Sequence, residues 1–263
     1  MKKTLFIITT CLCLLGGNVL FAQNNTHFVT AGSIEYNKII NAYALMTREM
    51  AISADVDVFQ QKAFEAYKKT HPQITTLKST LVFGNNKTLF TPVPVEEPTN
   101  NNFYFDMPMA GQSNTTYTDI TTDTRISQKK VFEEIFLVKD STSKIKWKIT
   151  DETRDIADYT CRRANGIVLD SIYVVAFYTD QITVVGGPES FTGLPGMILQ
   201  VALPHENVSW LATKVTETTA PPVTLVPPKK GKAVTGKDFQ KTLHGAMKNW
   251  GTYAQAYLKS LQL

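Results

Sequence analysis

Alternating apolar and polar positions along the chain predict a protein built mainly from β-strands. Ser33 to Lys38 alternates in this way, as expected of a strand with one buried face. Two strands are predicted within Leu77 to Phe90, around a turn at residues 84–86, where Gly and two Asn residues favour a hairpin. Alternation also predicts a strand at 145–149, and a mainly apolar run predicts one at 131–138. Residues 172–178, and nearly so 197–203, are apolar on both faces, which predicts central strands, and a further strand is predicted at 210–215.

Apolar residues at three- and four-residue steps predict two helices. The first lies within Asp55 to Thr70, with Asp55 as the N-cap and Pro72 following its end. The second covers about 236–261 and is amphipathic. It follows a capping box in which Thr235 is the N-cap and Asp238 the acidic partner.

This order of elements predicts an α+β fold with a curved antiparallel sheet or open half-barrel, one internal helix and a C-terminal amphipathic helix. Antiparallel pairing is favoured because most gaps between the predicted strands are too short for a helical crossover. One domain over residues 23–263 is sufficient for a chain of this length.

The first 22 residues have the pattern of a secretory signal peptide. Lys2 and Lys3 precede an apolar run that is broken at Gly16 and Gly17, and Ala22 provides a small residue for cleavage before Gln23. The run is too short for a transmembrane anchor, which needs about 18 or more apolar residues. We therefore predict a mature chain that begins at Gln23, is exported and has no membrane span.

The charge of the chain argues against a role with nucleic acids. The net charge is +4, and it falls to +2 once Lys2 and Lys3 are removed with the signal peptide, too little for counterion release to drive binding. Lys144, Lys146 and Lys148 alternate with the apolar residues of the 145–149 strand. This row is interpreted as a solvated strand face, with contact to an anionic surface as the alternative.

No catalytic or metal-binding motif is present in the sequence. The four histidines are far apart in the chain, without cysteine or carboxylate at ligand spacing, so neither a metal nor a cofactor is predicted. Cys161 is the one cysteine left after signal cleavage. We interpret it as a buried structural thiol, with a nucleophile paired with His205 as the alternative.

A turn rich in glycine and proline leads into the predicted strand at 197–203. Gly193 and Gly196 enclose Leu194 and Pro195, and a positive φ is expected at one or both glycines, as in a type II turn. We expect Leu194 to point into the sheet. The turn either directs Met197 and the following strand into the core or lines the mouth of a ligand site.

The heptapeptide from Gly193 to Leu199 resembles the signature of the GLPGLI family of exported Bacteroidetes proteins, with Met197 where leucine is usual. The segment Tyr159 to Ala164 and the strand that contains Tyr178 agree with it. The resemblance implies a Gram-negative host and an exported protein. It brings no catalytic residues, because none are assigned in the family.

Two classes of function follow from these observations. The first is an exported envelope protein, most simply periplasmic but otherwise at the cell surface or outside the cell, that binds an apolar ligand, a lipid or a peptide, or acts as a scaffold for an envelope protein. The second is a hydrolase-type enzyme that uses Cys161 as its nucleophile. The candidate ligand residues are those of the motif turn and its neighbouring strand: Gly193, Leu194, Pro195, Gly196, Met197 and Tyr178.

Overall fold

A computed structural model describes residues 27–52, 58–94, 107–111, 114–222 and 225–263. The predicted signal peptide, the cleavage site and Asp55 lie outside these residues. The strands are β1 (Ala31–Asn41), β2 (Ile74–Gly84), β3 (Lys87–Pro92), β4 (Thr115–Asp119), β5 (Thr124–Val131), β6 (Glu134–Asp140), β7 (Lys148–Ile156), β8 (Tyr159–Val168), β9 (Ile172–Thr179), β10 (Met197–Leu203), β11 (Val208–Glu217) and β12 (Lys232–Thr235). The helices are α1 (Ala42–Ile52), α2 (Val58–Thr70), α3 (Gly236–Ala246) and α4 (Tyr253–Gln262).

All of these strands belong to one 12-stranded open sheet, in the order β12-β6-β5-β4-β3-β2-β1-β11-β10-β9-β8-β7. Neighbouring strands are antiparallel except β12 and β6, which are parallel. β1 lies near the middle, between β2 and β11. From β1 the chain forms β2 to β6 outward on one side, and it then forms the other side from the edge strand β7 inward to β11. This brings β10, far along the chain, close to β1.

The predicted fold class is wrong. The sequence predicts a curved antiparallel sheet or open half-barrel with one internal helix, whereas the structure has an open 12-stranded sheet of mostly antiparallel strands and two helices, α1 and α2, between β1 and β2. Helix α1 was not predicted from the sequence. It follows β1 without a break, and the Asn41 side chain accepts a hydrogen bond from the Ala44 amide at 3.1 Å, as an N-cap does.

The C-terminal helix predicted for 236–261 is two helices. The predicted N-cap is confirmed, because the Thr235 hydroxyl accepts a hydrogen bond from the Asp238 amide at 3.1 Å at the start of α3. The same hydroxyl donates to the Asp238 carboxylate at 2.7 Å. The helix then ends at Ala246, and Gly251 has a φ of +59° before α4 begins. None of the described helices has the length and apolar content needed to cross a bilayer.

The hairpin and several strands agree with the sequence pattern. β2 and β3 are joined at Asn85 and Asn86, whose φ angles of +51° and +57° suit the tight turn that such residues favour. The strand predicted at 145–149 begins only at Lys148. Before it, Ile145 and Trp147 still pack against the main core although they form no strand.

Candidate functional site

The motif turn is built into the core of the protein. Gly193 and Gly196 have φ angles of +95° and +141°, so the expected positive φ is confirmed at both glycines. Leu194 and Met197 are buried, which confirms that Leu194 points inward. Gly193 and Pro195 are exposed and form the outer surface of the turn.

The turn closes more tightly than a type II turn. The Gly196 amide donates to the Leu194 carbonyl at 2.8 Å, which makes a three-residue γ-turn centred on Pro195. A side chain at 196 has no room, because a Cβ built there would lie 2.1 Å from the carbonyl oxygen of Thr179. Glycine is therefore required at 196 both by φ and by contact with the backbone.

One buried hydrogen bond ties the motif to the centre of the sheet. The Tyr36 hydroxyl donates to the Ile198 carbonyl at 2.6 Å. Both strands are irregular here, with a register shift next to Tyr36 in β1 and another after Ile198 in β10. Burial, with a smaller contribution from the neighbouring Cys161, raises the pKa of Tyr36 well above its usual value, so the phenol stays protonated and can donate.

The motif residues do not line the cavities described below. Tyr178 is buried in β9 opposite Ile198, and Leu194 and Met197 belong to the main core. On the exposed side, the Trp147 indole donates to the Thr192 carbonyl at 2.9 Å and lies against Gly193. These contacts support the interpretation that the turn directs β10 into the sheet.

Cys161 lies in a poor environment for a nucleophile. Its side chain is buried in β8, and the thiol donates to the Tyr159 carbonyl at 3.4 Å. Burial, with a contribution from Asp155, raises the pKa of Cys161 to about 12. The reactive thiolate is therefore scarce at neutral pH. In the described parts of the chain the thiol forms no hydrogen bond with His205.

Replacing Cys161 with serine is expected to lower the free energy of unfolding by about 1–3 kcal/mol, because a buried hydroxyl needs a stronger partner than a thiol does. Chemical denaturation of both proteins measures the change. Native protein should also resist labelling by a bulky thiol reagent until it unfolds. Rapid labelling of the folded protein would contradict this interpretation.

The histidines remain separate in the fold. His27 pairs with Glu217 at 2.6 Å, and the His205 ring lies 6.2 Å from the Tyr173 ring. His71 stacks on Tyr67 with ring centroids 4.1 Å apart. Among the described residues, no three His, Cys, Asp or Glu side chains come together in a way that could hold a metal ion.

A cluster of buried charges that was not predicted from the sequence includes Glu189, in the segment that leads into the motif turn. Lys38 of β1, Lys129 of β5 and Glu189 are each buried. The Lys38 ammonium donates to the Met109 carbonyl at 2.6 Å, and that of Lys129 donates to the Leu261 carbonyl at 3.0 Å. Asn114 donates to Glu189 at 3.1 Å. The cluster thus connects β1, β5 and the segment between β9 and β10 with the segment before β4 and with α4.

The alternation along β1 indicates that Lys38 points inward. Lys38 is an even number of residues from Ile34, Tyr36 and Ile40, which are all buried, so alternation alone places its side chain on the inner face. Burial lowers the pKa of Lys38 to about 8, and attraction to Glu189 acts in the opposite direction. Burial also lowers the pKa of Lys129 to about 8. Both ammonium groups are therefore held in the fold at a cost in free energy.

Stability is expected to rise with pH between about 8 and 10 in the Cys161→Ser protein, which lacks the opposing contribution of the Cys161 thiol, whose pKa is raised in the fold. The unfolded chain keeps its lysine pKa values near 10.4, so in this window it binds more protons than the folded chain does. Each of the two lysines then increases the free energy of unfolding by at most about 1.4 kcal/mol per pH unit. Denaturation at several pH values measures the slope.

Lys38→Met, made in the Cys161→Ser protein, tests whether Lys38 contributes to this dependence of stability on pH. It keeps the apolar stem but removes one titrating group, so the dependence on pH should fall by about half. If the stability of the Cys161→Ser protein stays flat or declines from pH 8 to 10, the two lysines do not titrate as the structure indicates.

A second feature is an apolar cavity of about 290 Å³ between α1, α2 and the start of α4. Met46 and Met50 of α1 line it together with Met107, and Phe64 and Ala63 line it from α2. Methionine side chains are flexible and polarisable, so a cavity lined with them adapts to apolar guests of different shape.

Two polar residues also line this cavity. Glu49 of α1 and Gln60 of α2 take part in the lining, and Tyr253 of α4 contributes an aromatic ring. Burial raises the pKa of Glu49, with nearby Arg48 acting in the opposite direction. The arrangement offers apolar contact together with hydrogen-bond acceptors. This cavity could not be predicted from the sequence, because α1 was not predicted and Met107 comes from a distant segment.

The lysine row forms the edge of an open trough. Lys144, Lys146 and Lys148 line it with Ile167, whose side chain is exposed, and with Tyr173. Lys144 lies 4.0 Å from Asp123, and both side chains are well exposed. The row therefore has the character of a solvated surface.

Comparisons with known proteins concern the fold and one short stretch of sequence. The model of a family described as "Protein of unknown function (Porph_ging)" matches residues 166–200, which include the motif turn. A search of curated protein sequences finds no match to the chain.

Solved structures show a distant similarity of fold. A structure of PNGF-II in the C2 space group is 15% identical with a TM-score of 0.50, over 80% of this chain and 32% of that one. A second crystal form of PNGF-II is 16% identical with a TM-score of 0.49, over 81% of this chain and 33% of that one. An uncharacterised conserved protein from Thermus thermophilus is 6% identical with a TM-score of 0.36, over 79% of this chain and 91% of that one. The chain therefore spans about a third of PNGF-II and shares the fold of that part.

Proposed function

We propose that the protein is an exported binding protein that holds an apolar ligand in the cavity between α1 and α2. The observation that carries the proposal is the lining of this cavity by Met46, Met50, Met107 and Phe64. Ligand sites in proteins are typically concave and mostly apolar, with a few polar groups that orient the ligand. Glu49 and Gln60 are polar residues of the lining that are suited to orient the ligand.

Export and family rest on the sequence. The segment from Lys2 to Ala22 has the features of a signal peptide, and the motif from Gly193 to Leu199 resembles the GLPGLI signature. Periplasmic residence is the simplest proposal consistent with both. Within it, the protein would carry a lipid or a peptide segment, or present it to an envelope partner.

Binding is a better proposal than thiol catalysis. Cys161 is buried with its pKa raised to about 12, and it forms no hydrogen bond with a base among the described residues. A thiol nucleophile needs access to substrate and a lowered pKa. The apolar cavity needs neither a base nor a nucleophile to act.

The carboxylate of Glu49 sets the kind of ligand. An acceptor group at an apolar cavity favours an amphiphile whose polar end donates hydrogen bonds, such as an amine, an amide or an alcohol. A fatty acid would place a second carboxylate beside Glu49, and like charges repel each other at short range. Dodecylamine should therefore compete for the cavity better than dodecanoic acid does.

Ala63→Trp is expected to abolish binding of a neutral apolar probe, because Ala63 lines the cavity and an indole fills it. N-phenyl-1-naphthylamine, whose fluorescence rises in apolar surroundings, reports the occupancy. Ala66→Trp is the matched control, because Ala66 is exposed on the same helix and does not line the cavity. Equal binding by both variants, or no binding by the wild type, would contradict the proposal.

A further inference from the structure

Three methionines line the same cavity, and the chemistry of a thioether sulfur goes beyond apolar contact. Met46 and Met50 are four residues apart on α1, so their Cβ atoms lie about 5–6 Å apart on one face of the helix. Met107 lines the cavity from the segment before β4. Each side chain has three rotatable bonds, which lets the sulfurs turn toward a common point.

We propose that Met46, Met50 and Met107 form a binding site for a soft monovalent metal ion, Cu(I). Thioether sulfur is a soft ligand that selects Cu(I) over the harder divalent ions. Ag(I) has the same charge and softness and is stable in air, so it serves as the probe. The site shares the cavity of the proposed function but does not depend on an apolar ligand.

The remaining lining suits a single positive charge. Glu49 also lines the cavity and supplies a carboxylate that offsets the charge of the ion. Phe64 and Tyr253 add aromatic rings, which attract cations through their faces. A divalent ion would find too few oxygen or nitrogen ligands here, so the lining favours one univalent ion.

The test is a titration of the mature protein with silver nitrate in chloride-free buffer, followed by native mass spectrometry and calorimetry. The wild type is expected to bind one Ag(I) ion at this site. The triple variant M46L/M50L/M107L keeps apolar side chains of similar size, and its Ag(I) affinity should fall at least tenfold. Cys161 is present in every protein compared, so its contribution cancels.

Met247→Leu is the matched control, because Met247 is buried in the separate cluster under α3. It should bind Ag(I) as the wild type does. A triple variant with unchanged affinity would overturn the proposal, as would a wild type without methionine-dependent binding. Retained binding of N-phenyl-1-naphthylamine by the triple variant shows that the cavity persists, which separates this outcome from failure of the proposed function.

A second measurement on the wild type guards against a triple variant that does not fold. With 13C-labelled methionine methyl groups, Ag(I) should shift the signals of Met46, Met50 and Met107 and leave that of Met247 in place. Shifts confined to other methionines, or none at all, would also overturn the proposal.

Discussion

Gly196→Val is expected to destabilise the protein by about 4 kcal/mol or more, enough to leave little folded material. A valine Cβ would lie 2.1 Å from the Thr179 carbonyl oxygen and 3.0 Å from the Cα of Asp180, both backbone atoms that cannot move aside independently. The φ of +141° adds strain for a β-branched residue. Chemical denaturation measures the loss, with soluble yield as a second readout.

Gly193→Ala is the matched comparison. A Cβ at 193 would meet the Trp147 indole nitrogen at 3.5 Å, an ordinary contact, so only the φ of +95° opposes the change. The loss should therefore be smaller, about 1–2 kcal/mol.

If Gly196→Val kept full stability and lost ligand binding, the motif would be part of a binding site and its structural interpretation would be wrong.

Leu194→Ala should cost about 2–5 kcal/mol in the free energy of unfolding. The side chain is 2% exposed and belongs to the main core, and the tight turn around Pro195 limits how far the neighbouring chain can collapse into the cavity left behind. Thermal and chemical denaturation of the variant measure the loss.

Pro195→Ala controls for the turn itself. Pro195 is exposed, so this change removes ring rigidity without opening the core, and a loss below about 1 kcal/mol is expected. Equal losses of stability in Leu194→Ala and Pro195→Ala would show that turn rigidity, rather than burial of the leucine, holds the motif in place.

Much of the strand pattern could be predicted because alternation reports directly on burial. β1 follows from alternation, whereas the β2–β3 hairpin follows from its turn residues and β10 from an apolar run. The inward direction of Leu194 follows from its large apolar side chain. The order of strands could not be predicted in this way. Pairing of β1 with both β2 and β11 depends on contacts between distant segments, for which local pattern holds no information.

The candidate site was harder to predict for the same reason. The methionine cavity combines α1, α2, Met107 and Tyr253, which are close only in the folded chain. The charge cluster was missed because a lysine on a strand is normally solvated, although the parity of Lys38 with Ile34 and Tyr36 pointed inward. The motif turn was visible because glycine and proline constrain the backbone locally.

Native mass spectrometry of the protein isolated without denaturant from its natural host tests the central claim most directly. We predict that the wild type retains an apolar ligand, seen as added mass that gentle activation releases, and that Ala63→Trp isolated in the same way retains none. A wild type without added mass, or the same added mass on both proteins, would contradict the claim that the cavity between α1 and α2 holds the ligand.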